Sequence, residues 1–97
     1  MGKEVEANQR IAFFLPALYG GGAERVMLNL ARGFAARGMI VDLVLAKAEG
    51  AYLSQVPSSV QLVDLKASRV LTSLPGLVRY LRTEQPNALV STLSHAN

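Results

Sequence analysis

An α/β fold built on a parallel sheet is predicted by three features of the sequence. Short apolar runs without polar alternation recur along the chain, the pattern of strands covered on both faces. Between them lie segments whose apolar residues repeat at helical spacing. A run of glycines, Gly20-Gly21-Gly22, joins the first apolar run to the first helical segment. Strand and helix therefore alternate, an order that closes as parallel strands joined by right-handed crossovers.

The elements follow in chain order. Ile11-Ala12-Phe13-Phe14-Leu15 reads as the first strand, and Pro16 stops it. In the first helix, Ala23, Val26, Met27, Leu30, Ala31 and Phe34 form one apolar stripe. Arg25, Asn29 and Arg32 lie opposite, and Gly38 follows Arg37 as the C-terminal cap. Ile40 to Leu45 is the second strand. Ala48 to Pro57 is a loop with a helical turn around Tyr52-Leu53. Val60 to Leu65 is the third strand, which Gln61 and Asp64 make the most exposed of the set. The second helix is expected to start near Thr72 or Ser73, either of which caps it, with Pro75 in the first turn. Its stripe is Leu74, Leu77, Val78 and Leu81, and Pro86 ends it. Ala88 to Leu93 is the last strand.

The predicted architecture is a partial Rossmann-like three-layer domain, with parallel sheet order 3-2-1-4 and strand 1 in the interior. Residues 1–9 form a polar tail and residues 10–97 the domain, which reads as truncated after strand 4 because no later element covers that strand. Its open edge is expected to favour self-association.

Composition bounds the function classes. The hydrophobic share of 51% against 18% charged residues excludes a disordered chain, and 97 residues suffice for one small domain. No cysteine is present, so disulfides and thiolate metal sites are excluded; a single histidine, His95, leaves no basis for an imidazole metal site. No metal and no cofactor are expected. No apolar run approaches the roughly 20 residues of a membrane helix, and Met1 to Arg10 lacks the apolar centre of a signal peptide, so a cytoplasmic location is expected. The net charge of +3 does not mark a nucleic-acid binder, because the arginines are scattered among acids and aromatics are few. Lys66, Arg69, Arg79 and Arg82, on the second helix and its approach, read first as a solvated face. They would also suit contact with the anionic inner face of a membrane.

The glycines carry the chemistry. At the carboxyl end of a central strand they let a ligand approach a helix N-terminus, whose N–H groups and dipole favour phosphate. The plain alternative is that they only permit the turn. A nicotinamide fingerprint fails: Gly20-Gly21-Gly22-Ala23-Glu24-Arg25 puts arginine at the third glycine position. The second strand ends in Ala46-Lys47 without a ribose-binding acid, and Asp42 stands near the wrong end of that strand. No Gly-Lys-Ser/Thr follows, so a P-loop is excluded as well.

The run Ile11 to Pro16, then Gly20-Gly21-Gly22-Ala23-Glu24-Arg25-Val26, Leu30-Ala31 and Arg37-Gly38, resembles the opening of family-4 glycosyltransferases of the GT-B fold. Gln85-Pro86-Asn87-Ala88-Leu89-Val90 resembles the family's lead into its fourth strand. Met39 stands where the family often has histidine, and Asn87 where it usually has aspartate; both positions read as structural.

The resemblance implies sugar transfer from a nucleotide-sugar donor to an acceptor, retaining and metal-independent, in a cleft between two domains. The chain would belong to the acceptor-side domain, would lack the C-terminal donor-binding domain, and would be inactive alone. Gly20, Gly21 and Gly22 would line the cleft, with Glu24 and Arg25 in the first helical turn. Glu24 also suits the helix dipole with no ligand present, and Arg25 reads first as solvated. His95 follows the last strand on the ligand-binding side, where an imidazole positions an acceptor or takes a proton; Ser94 and Asn97 would bond sugar hydroxyls. Tyr19 and Tyr52 would flank the cleft, though both read first as packed or rim residues. Two other classes stay open on the residues alone. One is a self-contained flavodoxin-like or receiver-like binding module; the other is an intact nucleotide-binding oxidoreductase domain.

Overall fold

The computed structural model describes residues 9–18, 21–67 and 69–91, with residues 70 and 71 described by their backbone only. Strand β1 is Arg10–Leu15, helix α1 Gly22–Ala36, β2 Ile40–Leu45, β3 Val60–Asp64, α2 Val70–Glu84 and β4 Ala88–Ser91. A short 3-10 turn, Ala51–Gln55, lies in the loop after β2. The strands form one parallel sheet in the order β3-β2-β1-β4, as the crossover argument predicts.

Register sorts the side chains into two cores. Ile11 pairs with Val41, Phe13 with Leu43 and Leu15 with Leu45, and these buried residues pack with Met27, Leu28 and Ala31 of α1. Phe13 and Phe34 bring their rings to 6.1 Å between centroids. The alternate residues Ala12, Phe14 and Val44 face Leu77 and Tyr80 of α2 on the other side. Both faces of β1 and β2 are thus covered, which accounts for their continuous apolar runs. Helix α1 ends in a Schellman arrangement: Gly38 N–H donates to Ala35 O, Met39 N–H to Phe34 O, and Gly38 adopts φ +95°.

The structure departs from the expected helices in ways that share one cause. In α1 the buried residues are Met27, Leu28 and Ala31, whereas Val26 is 55% and Leu30 43% exposed. In α2 the sheet-facing residues are Ser73, Leu77 and Tyr80, leaving Leu74 and Val78 exposed. Each helix carries more apolar residues than one face can hold, and contacts outside the helix select the inward face. For α2 the selecting contact is Tyr80, whose hydroxyl donates to the buried Asp42. Helix α2 also starts two or three residues earlier than expected, at Val70. Thr72 caps it from inside the first turn, accepting the Arg69 N–H at 3.1 Å and donating to Arg69 O at 2.9 Å. Pro75 consequently sits in the second turn, and Ser73 is a buried helical residue rather than a cap. Strand β3 is exposed as expected, yet β4 is more so, with no fully buried residue among 88–91. Asn87 is structural, as its position in the sequence suggests: its Oδ1 accepts the Arg10 N–H at 2.7 Å, and its own N–H donates to Arg10 O.

Toward the amino ends of the strands, Asp42 gathers a polar cluster that sequence reasoning missed. It is fully buried, accepts from Arg10 Nη1 at 2.6 Å and from the Tyr80 hydroxyl, and Arg10 also reaches Glu84 at 3.4 Å. Burial, reinforced by the hydrogen bond to Asp42, pushes the Tyr80 phenol well above its ordinary pKa. A raised pKa means that the folded state holds its proton more tightly than the unfolded chain. The associated stability is therefore complete below the unfolded value of 10.0 and drains away as pH rises above it. Urea midpoints measured from pH 8 to 11 are expected to fall more steeply for the native chain than for Tyr80→Phe; parallel profiles would contradict the assignment.

Candidate functional site at the glycine turn

The carboxyl ends of β1 and β2 continue to hold each other past the strands. Ala46 N–H donates to Leu15 O, Lys47 N–H to Pro16 O, and Leu18 N–H to Glu49 O. Tyr52 N–H then donates to Leu18 O at 3.0 Å, so the 3-10 turn is fastened to the segment that enters the glycine turn. Ala17 and Leu18 are buried, which anchors that segment in the core. Asp64, at the end of β3, accepts the N–H groups of Ala48 and Lys66 and fixes the neighbouring loops.

Gly21 is the N-cap of α1, with extended backbone at φ −72° and ψ 167°. Its N–H donates to Glu24 Oε1 at 3.1 Å, and its carbonyl accepts from Arg25 N–H at 3.0 Å. A glycine has no side chain to offer the first-turn N–H groups, so Glu24 supplies only half of a capping box. Glu24 therefore has a capping role of its own.

Neither Gly21 nor Gly22 is needed by the fold around it. Their backbone angles lie outside the left-handed region, a Cβ on Gly22 would meet nothing within 4 Å, and one on Gly21 only the Glu24 side chain at 4.0 Å. A side chain at either position would therefore meet space beside the first turn of α1, at the carboxyl edge of the sheet.

Arg25 is exposed, in keeping with the expectation of a solvated side chain, but it has a neighbour that the sequence did not announce. Its guanidinium stacks on the Tyr52 ring at 4.7 Å, and Nε and Nη2 lie 3.4 and 3.3 Å from the Tyr52 hydroxyl. Nothing in the spacing of residues 25 and 52 announces that pairing, which arises because the loop after β2 folds back over the helix start. Gly21, Gly22, Glu24 and Arg25 are therefore brought together. Gly20, Ser94, His95 and Asn97 lie outside the described residues. Lys66, Arg69, Arg79 and Arg82 are exposed. A shallow groove of ≈ 270 Å³, lined by Asn29, Leu30, Gly33, Phe34 and Arg37, runs along the later half of α1 and shares no residue with the turn.

A four-stranded parallel sheet in the order β3-β2-β1-β4, with a helix starting just beyond the carboxyl end of interior strand β1, defines an open α/β protein of the Rossmann-like class. The particular family follows from comparison. The model for Glycosyltransferase Family 4 matches residues 20–97, from the glycine turn onward, and the chain belongs to that family. No curated protein and no solved structure gave a match. Membership makes this a transferase-class domain whose full-length enzymes act on a donor and an acceptor. Among the described residues no helix is long and apolar enough to cross a membrane, and no group of acidic or imidazole side chains is arranged to hold a metal ion.

Proposed function

We propose that the chain forms the acceptor-side part of a two-domain GT-B enzyme that transfers a hexosyl unit from a nucleotide-sugar, with retention and without a metal ion. The observation that carries this reading is the open space kept at Gly21 and Gly22 in front of the α1 N-terminus. Nucleoside phosphate departs during such a transfer, and backbone N–H groups held in place offset the charge that develops on it. The wall that grips the donor belongs to a second domain, so residues 10–97 act as half of a site. Val26, Leu30, Leu74, Val78 and Leu89, all exposed apolar residues, support further polypeptide packing on this unit; self-association is the substitute when that polypeptide is missing. The same reading places the protein in the cytoplasm, with Lys66, Arg69, Arg79 and Arg82 available to an anionic membrane face.

The test is titration of the 97-residue chain with a nucleoside diphosphate, followed by backbone amide chemical shifts. The amides of Gly22 and Ala23, in the first turn of α1, are expected to move together and to saturate. Shifts confined to other surfaces would overturn the site. Purified chain is also expected to show no sugar transfer, and measurable turnover would sink the half-site account.

A further inference from the structure

Helix α2 exposes a face that the spacing of its apolar residues does not account for. The bond from the Tyr80 hydroxyl to buried Asp42, together with buried Ser73 and Leu77, fixes which side of the helix meets the sheet. That rotation turns Leu74 and Val78 outward, where they stay 43% and 47% exposed. Positions four apart stack on one side of a helix, so Leu74, Val78 and Arg82 form an exposed row, with exposed Arg79 beside it. Arg69, at the start of α2, and Lys66 before it are exposed as well. From Leu65 to Thr83 the chain holds these four cations and no acid. The aromatic residue of α2, Tyr80, is buried, so the helix offers no ring to a nucleic-acid base. Aliphatic side chains bracketed by cations instead match the boundary of an anionic bilayer. There the apolar groups enter among the acyl chains, and arginine stems carry their charge to the head groups.

We propose that the outer face of α2 docks on an anionic lipid surface, with Leu74 and Val78 entering it and Arg79 and Arg82 holding the head groups. The inference rests on the reading that these cations are available to a membrane, and it is independent of the glycine turn. A fluid surface suits this face because it needs no matching relief on the protein, only charge and a few side chains to receive. Helix α1, with its groove at Asn29 to Arg37, lies on the opposite side of the sheet. Contact through α2 therefore leaves α1 in water.

The experiment sediments the 97-residue chain with vesicles of phosphatidylcholine alone, or of equal parts phosphatidylcholine and phosphatidylglycerol. The native chain is expected on the mixed vesicles and not on the neutral ones. One cation near an anionic surface changes partition about fivefold, so Arg79→Gln with Arg82→Gln should weaken binding about thirtyfold. Arg79→Lys with Arg82→Lys keeps the charge and should bind within about threefold of native. Leu74→Ala with Val78→Ala should weaken binding about tenfold. All four positions are exposed, so each variant should keep a near-native urea midpoint. The chain has no cysteine, so a polarity-sensitive dye at Val78→Cys reports α2 and one at Asn29→Cys reports α1. The dye at position 78 should enter an apolar environment on mixed vesicles, and the dye at position 29 should not. Equal binding to neutral vesicles, or none to either, would overturn both the docking and the reading of the cations; capture by polyglutamate in the second case would assign them to an acidic polypeptide. Native-like binding by the Leu74→Ala, Val78→Ala chain, or equal dye responses at the two positions, would overturn the docking of this face while leaving the attraction of the cations to lipid in place.

Discussion

Asp42→Ala is expected to lower the unfolding free energy by about 3 kcal/mol, among the largest single-residue effects in this chain. The carboxylate is fully buried and is the shared acceptor of Arg10 and Tyr80. Truncation leaves the Tyr80 hydroxyl stranded in a site that is only 7% exposed, and an unsatisfied buried polar group costs about 1–3 kcal/mol. Arg10 loses its shortest ion pair, although its side chain is 22% exposed and keeps Glu84 within reach. That escape holds the cost to the lower end of the range for a broken buried pair. Asp42 is itself expensive, since its Oδ1 is buried with no hydrogen-bond partner among the described residues. A triple change, Arg10→Met with Asp42→Leu and Tyr80→Phe, is therefore expected to recover most of the loss. Urea unfolding of the single and triple variants decides the matter: a single variant within about 1 kcal/mol of native would remove Asp42 from its place as the acceptor that orients α2.

The same residue shows where the sequence could be read and where it could not. Strands β1 and β2 were legible because the five-residue apolar run Ile11 to Leu15, and a second run broken only by Asp42, match strands buried on both faces. Sheet order followed from the alternation of elements and the handedness of crossovers. Asp42 was the one acid in an otherwise apolar strand, and a buried acid needs a donor. That signal was present but gave no address, because Arg10 and Tyr80 lie 32 and 38 residues away. Helix orientation failed for a related reason. Leu74 and Val78 satisfy helical spacing as well as Leu77 does, so periodicity alone cannot tell which neighbour of Leu77 turns inward. Tyr80 decides it, through a contact on another element.

The candidate site divides along the same line. Glycines followed by Ala23-Glu24-Arg25 were readable as a strand-to-helix turn open to phosphate, and Glu24 suited the dipole on sequence grounds alone. The pairing of Arg25 with Tyr52 was not readable, since it depends on how the loop after β2 returns across the helix start. Local signals named the turn; the fold supplied what holds it.

Gly22→Pro is expected to leave the chain as stable as the native one or slightly more so, yet to reduce its phosphate response about tenfold. Gly22 is the first residue of α1, the position where proline is best tolerated, because that N–H has no partner within the helix. Gly21 already has the extended backbone that a following proline requires, at ψ 167°. A Cβ at position 22 meets no atom within 4 Å beyond its chain neighbours. Restricting the unfolded chain then stabilises by about 0.4–1 kcal/mol, unopposed by a lost internal contact. The functional balance runs the other way. Proline deletes one N–H from the group facing the turn and fills the space the glycine kept clear, so an anion loses a donor and its closest approach together. Gly22→Ala separates these effects, since it restores the N–H while adding a single methyl, and should fall between native and proline. Thermal melts paired with phosphate titration read both halves at once. A proline variant that melts at or above the native temperature and binds phosphate as the native chain does would show that the glycine is dispensable to ligand as well as to fold, leaving the turn without the function assigned to it.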